Sequence, residues 1–229
     1  MSLAKLGLVQ FALERYSDAL SSFNRALSVR RGFLPFDHPE MAKLHNNAGA
    51  VYHHRGDAVA ALKSFTKALD VQRSWIEGTV RREAIVHDGS VVLNNMGWVY
   101  LHKDEADMAL NVYEEALLLL TSTFRKDRDA VLDMLSNVAY AKSKRGDVGK
   151  ALQIYEAVLR SRVARGRPKC RGAVATMARM MELYLMEGRR DDAEHCLLAV
   201  RDWQKENMLG DNHLAQKKIG EGEDGGGGS

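Results

Sequence analysis

Alanine stands at 19, 61, 109, 151 and 193, so the intervals between successive alanines are 42, 48, 42 and 42 residues. Roughly one residue in ten of average composition is alanine, so five such matches by chance have odds on the order of one in 100,000. The register is therefore a repeat, and other columns share it. Twelve positions before each alanine stand Gly7, Gly49, Gly97, Ala139 and Met181. Four positions after it stand Phe23, Phe65, Tyr113, Tyr155 and Leu197, and three further on Ala26, Ala68, Ala116, Val158 and Val200. A unit of this length is one supersecondary element that buries its apolar face only by stacking on its neighbours.

The spacings are helical. Ala48, Gly49 and Tyr52 fall on one face of a first helix (A), and Ala61, Phe65 and Ala68 on one face of a second (B). Small residues let the two axes approach, and the ring between them fills the space. Gly56 suits the end of helix A and Asp57 the cap of helix B, a device repeated at Gly146-Asp147 and approximated at Gly188 and Asp191. The third unit has Lys103-Asp104-Glu105 here, so Asp104 must take the glycine's place or the turn must tighten differently. With only 3 Pro among 229 residues there is little to break helices. The predicted fold is all-α: a right-handed α-solenoid of five antiparallel hairpins, at about 1-31, 40-77, 88-122, 130-165 and 172-208. Six extra residues fall between Asp70 and Ser90, where Trp75, Ile76, Ile85 and Val86 suggest a longer helix B or a loop packed on an edge. The first unit starts at Met1 without a polar cap, so more chain or an assembly partner is expected before it. Beyond Met208 order is expected to fade, with a short capping helix over 212-219. The Gly-rich 220-229 has the form of an engineered linker.

The small, aromatic and alanine columns resemble the tetratricopeptide repeat. The 42-residue spacing, with Asp37-His38-Pro39 leading into a helix A and Asn46-Asn47 and Asn94-Asn95 within the helices, is similar to the long-repeat subclass of kinesin light chains. The resemblance covers residues 1-208. It implies that one face of the A helices lines a groove, where asparagine amides hold an extended peptide.

On that face, opposite the one that meets helix B, stand Lys43, Asn47, Ala50 and His54, then Val91, Asn95, Trp98 and His102, then Asp133, Asn137, Tyr140 and Lys144. Across the stack, Lys5, Asn47, Asn95, Asn137 and Arg179 form one column, beside Leu8, Ala50, Trp98, Tyr140 and Glu182. An asparagine amide both donates and accepts, so a row of them can follow a peptide backbone. Alternatively, these asparagines hydrogen-bond neighbouring helices and Trp98 is core. The groove residues read from sequence are Lys5, Asn47, His54, Asn94, Asn95, Trp98, His102, Asn137, Tyr140, Lys144 and Arg179. Trp98 and Tyr140 would be apolar anchors, and Lys5, Lys144 and Arg179 would meet acidic groups. Connections between units are basic, at Arg30-Arg31, Arg81-Arg82 and Arg125-Lys126, and most of all at Arg160, Arg162, Arg165, Arg167, Lys169 and Arg171. An acidic segment or RNA could follow that edge, though basic residues near helix C-termini also simply complement the dipole.

The net charge of +3 does not by itself indicate nucleic acid. No run of apolar residues is long enough to span a membrane, and no signal peptide is evident. The two cysteines, Cys170 and Cys196, exclude a disulfide scaffold and favour a reducing, cytoplasmic setting. Arg55-Gly56-Asp57 and Arg145-Gly146-Asp147 are turn chemistry. His45, His53 and His54 lack acids or cysteines at metal spacing. His195 and Cys196 are adjacent rather than facing, which argues against a nucleophilic pair. No cofactor fingerprint or paired catalytic carboxylates occur, so the sequence reads as a non-enzymatic adaptor without cofactor, metal or small-molecule substrate. Its expected partner is a short linear segment of another protein. Self-assembly through the first unit is the alternative.

Overall fold

The computed structural model describes residues 2–78, 82–123, 128–165 and 170–205, and among them every regular element is a helix. In chain order these are α1 (Leu3–Ala12), α2 (Tyr16–Arg31), α3 (Pro39–His54), α4 (Ala58–Gly78), α5 (Arg82–His102), α6 (Ala106–Thr123), α7 (Arg128–Lys144), α8 (Val148–Ala164) and α9 (Arg171–Met186). A further helix, α10, covers residues 190–205. Odd-numbered helices are the A helices and even-numbered ones the B helices of an all-α repeat solenoid. The chain divides into two compact units, Met1–Asp147 and Val148–Ser229. Arg81, Arg125, Lys126, Arg167, Lys169, Met208 and the segments 212–219 and 220–229 lie outside the described residues, as do the side chains of Trp75, Ile76, Arg82, Ile85 and Val86.

The columns are the core. Ala19, Ala61, Ala109 and Ala151 are fully buried, as are Phe23, Phe65, Tyr113 and Tyr155. The first three glycines of the leading column lie against these rings. A Cβ on Gly7 would stand 2.6 Å from Phe23, one on Gly49 2.6 Å from Phe65, and one on Gly97 2.2 Å from Tyr113. Ordinary carbon–carbon contact is about 3.5–4.0 Å, so only glycine admits the ring at this depth. The column loosens in the last hairpin, where Leu197 is 41% exposed.

Every A-to-B turn is closed by one residue in the left-handed region. Gly56, Gly146 and Gly188 have φ of 81°, 97° and 75°, and Glu14 and Asp104 each have 58°. These five positions share the register of the alanines. Asp104 thus occupies the glycine's place, at a conformational cost that glycine would not incur. Asp57 caps α4, its Oδ1 accepting the Ala60 N–H at 3.0 Å. His38 caps α3 through Nδ1, which accepts the Glu40 N–H at 3.2 Å, with Pro39 at the first helical position. The six extra residues are taken up as helix: α4 and α5 each run 21 residues, against 16 in α3 and 18 in α6.

Candidate functional site

Within the first unit α1, α3, α5 and α7 are neighbours, so side chains one or two turns apart along a helix align with those of the next A helix. Rings dominate this face. Phe11 meets His54 edge-on with centroids 5.0 Å apart, and His54 lies 6.0 Å from His53. His53 stacks on His102 at 4.8 Å with only 17° between the planes. His102 lies 6.3 Å from Trp98, which lies 5.5 Å from Tyr140. The ammonium of Lys144 sits 5.4 Å from the centre of the Tyr140 ring, within cation–π range. A cavity of about 250 Å³ opens between α3 and α5, lined among others by His53, His54, Asn95, Trp98 and His102. Burial, with smaller contributions from His102 and His54, holds the His53 imidazole below its ordinary pKa.

The asparagines are held between repeats. Asn95 Nδ2 donates to Asn46 Oδ1 at 3.0 Å, and Asn137 Nδ2 to Asn94 Oδ1 at 2.7 Å. Each bond joins the asparagine two places before the Gly97 or Ala139 column of one A helix to the asparagine one place earlier in the register of the preceding A helix. The paired asparagines are thus at least partly inter-repeat ties. Asn47, which leads its column without a predecessor of its own kind, makes no side-chain hydrogen bond to a described residue. It lines a second cavity, of about 240 Å³, with Asn46, Lys43, Gln72, Asp88 and Val91.

The sequence-predicted residues His54, Asn95, Trp98, His102, Tyr140 and Lys144 are thus joined by ring contacts and by the cavity between α3 and α5, and Asn94 and Asn137 are joined to each other. Lys5 is exposed on α1 and is not joined to them by a ring or ion contact, and Arg179 belongs to α9 of the second unit. Sequence reasoning missed Phe11, His53 and Gln72. The stack of His53 on His102 depends on the register between helices, which spacing along one helix does not carry.

The basic edge needs correction at Arg162, which is 4% exposed. It continues the buried stripe Ala151, Tyr155, Val158 at the next i+4 position, a signal already present in the repeat register. Its Nη1 lies 3.4 Å from Cys170 Sγ and would be 2.5 Å from a Cβ on Gly172, so glycine makes room for the guanidinium. Burial alone would raise the Cys170 thiol. The Ala173 and Gly172 N–H groups and Arg162 outweigh it and hold the thiol below its ordinary value. Arg160 and Arg165 are exposed, Arg160 lying 3.6 Å from Glu156, and Arg171 is exposed at the start of α9. The second unit also contains a mainly apolar cavity of about 510 Å³, lined in part by Met177, Met180, Tyr184, His195 and Cys196. Among the described residues, no three of His, Cys, Asp and Glu are placed to hold a metal ion, and no helix is long and apolar enough to cross a membrane.

The tetratricopeptide repeat family matches residues 1–74 and 90–162, and the chain belongs to that family. Its fold is similar to a protein named as a kinesin light chain of nearly identical TPR-like repeats from Podosopora anserina. That similarity has a TM-score of 0.73 at 17% identity and covers 91% of this chain and 95% of the other. BtubC (BKLC) from P. vanneervenii gives 0.71 at 17% identity, covering 89% and 78%. The Rap conjugation gene regulator of plasmid pLS20, solved in complex with the Phr* peptide, gives 0.66 at 16% identity, covering 90% of this chain and 53% of that one. No curated protein matches. The family makes the chain a tetratricopeptide-repeat protein-interaction module, and its fold is similar to that of kinesin-light-chain repeats.

Proposed function

We propose that the A-helix face of the first unit is a groove that binds a short, extended segment of a partner protein, and that the chain serves as an adaptor. The observation that carries this reading is the connected surface from Phe11 to Lys144, in which the rings border a mainly apolar cavity, with a second cavity lined by Asn46, Asn47 and Gln72 on the same helices. Rings offer large, rigid contact area at small entropic cost, as hot spots do. Asn47 and the unused polar capacity of Asn95 can meet a peptide backbone. Lys144, over Tyr140, is placed for an acidic group on the ligand. A Rap protein of similar fold binds a peptide, which supports the same use here.

A peptide-display selection on the wild type and on an Asn47→Ala/Trp98→Ala variant tests the proposal. Neither substitution removes an inter-repeat asparagine bond, and circular dichroism checks that the variant is folded. The expected result is a shared motif enriched on the wild type and lost on the variant. Equal enrichment on both, or none on either, refutes the groove. Exposed Leu8, Val9 and Leu13 on the first hairpin favour self-association as a second reading. Light scattering that shows a monomer at every concentration tested removes it.

A further inference from the structure

The cavity between α3, α4 and α5 is lined by a residue, Gln72, that has an unmatched hydrogen-bonding group. Gln72 is 3% exposed and reaches the cavity from α4, behind the A helices. Its Oε1 is buried and accepts no hydrogen bond from any described residue. The oxygen lies 3.4 Å from where a Cβ on Gly89 would stand, so glycine keeps that side of the amide open. A buried carbonyl without a donor costs stability, and burying one is uncommon in a folded chain. Asn47 lines the same cavity, and its amide is also unengaged by described residues. Lys43 Nζ and Asp88 Oδ2 are 3.3 Å apart at the cavity's edge and together contribute no net charge. Asn46 has its Oδ1 occupied by Asn95 and retains its own N–H donors.

We infer that this cavity is a subsite for a neutral carboxamide, the side chain of a glutamine or asparagine in the segment bound by the proposed groove. The inference rests on that reading for its biological ligand. A carboxamide brings both groups the cavity requires: an N–H₂ to donate to Gln72 Oε1 and a C=O to accept from Asn47 or Asn46. Rotation of the terminal amide of Gln72 about its soft last torsion turns the oxygen into the cavity. A guanidinium or ammonium group would satisfy the same oxygen but would add a charge beside the already neutralised Lys43–Asp88 pair. Burying a charge without a free counterion is costly, so the neutral ligand is favoured. An apolar side chain of the same length would leave Gln72 and Asn47 without partners.

The test uses single capped residues, so it does not depend on whether a longer peptide spans the groove. N-acetylglutamine methylamide, its methionine counterpart and its arginine counterpart are titrated into the whole protein and followed by side-chain amide NMR signals. The expected result is a saturable shift with the glutamine compound alone. Equal shifts with methionine, a stronger response to arginine, or no saturable response to glutamine each overturn the inference. Gln72→Met preserves the shape and removes the acceptor. It should weaken the glutamine compound by about tenfold or more and raise the thermal midpoint, because an unpaired buried polar group is gone. A lower midpoint in folded Gln72→Met would show that the oxygen is already paired in the free protein, and overturns the inference. Asn47→Ala, at the cavity wall, supplies a second variant: unchanged affinity for the glutamine compound also overturns it. If display still yields an Asn47-dependent motif while the capped glutamine fails to bind, the subsite is wrong and the groove stands. If the compound binds and display yields no motif, the groove reading fails and the subsite stands.

Discussion

Replacing Gly97 with alanine adds one methyl group in the middle of α5, and two opposing effects set its sign. Helix propensity favours alanine over glycine by about 1 kcal/mol in a helix interior. The added Cβ, however, would stand 2.2 Å from Cε1 and 2.4 Å from Cζ of Tyr113. Relief requires the ring to retreat by more than about 1 Å from ordinary contact distance. Tyr113 is fully buried in a close-packed column, and so are Ala109 and Ala116 on the same helix face. Overpacking of this kind costs about 1–3 kcal/mol, and the severity of the overlap points to the upper end. The net expectation is a loss of about 2 kcal/mol. With a urea m-value of about 2 kcal/mol/M, the midpoint falls by about 1 M. Urea unfolding followed by circular dichroism measures it, with two controls. Gly149→Ala on α8, where nothing lies within 4 Å of the added methyl, should be neutral or stabilise by up to about 1 kcal/mol. Tyr113→Leu should partly rescue Gly97→Ala, with a coupling of about 1 kcal/mol or more in a double-mutant cycle. If Gly97→Ala matches or exceeds the wild type, close approach of ring and glycine is not what positions the hairpin.

Asp104→Gly removes the strain of a left-handed aspartate and should raise stability by about 0.5–1 kcal/mol, read as a higher thermal midpoint; a fall would mean that the Asp104 side chain supports the turn. Asn94→Ala breaks the tie to Asn137 and should cost about 1 kcal/mol, and additivity with Asn137→Ala would refute the tie. Burial first, then Lys67 and Arg31, holds His45 below its ordinary value of 6.5, and burial first, then His102 and His54, does the same for His53. The native state therefore favours neutral imidazoles. As pH falls through 6.5 the unfolded chain takes up these protons first, so stability present above 6.5 is lost until the lower native pKa values are reached. Urea midpoints measured down to about pH 5, above most carboxylate titration, should decline, and His53→Phe should flatten the decline; a midpoint independent of pH in this range refutes the assignment.

The amino-acid sequence determined this protein's hairpins because their determinants are local and repeat. An alanine, a ring and a second small residue at i, i+4 and i+7 define the buried face of each B helix. The turn position recurs in the same register even where glycine is replaced by Asp104 or Glu14. That register also carried the burial of Arg162, although its charge had suggested an edge. Tertiary structure decided what adjacent repeats do to one another. Whether Asn95 faces a ligand or Asn46, whether His53 stacks on His102, and whether Gln72 reaches between two A helices depend on axial offsets of a few ångströms between helices. Sequence spacing along one helix is blind to those offsets. Packing of the glycine and ring columns sets them, and so places the rings and amides of the candidate groove.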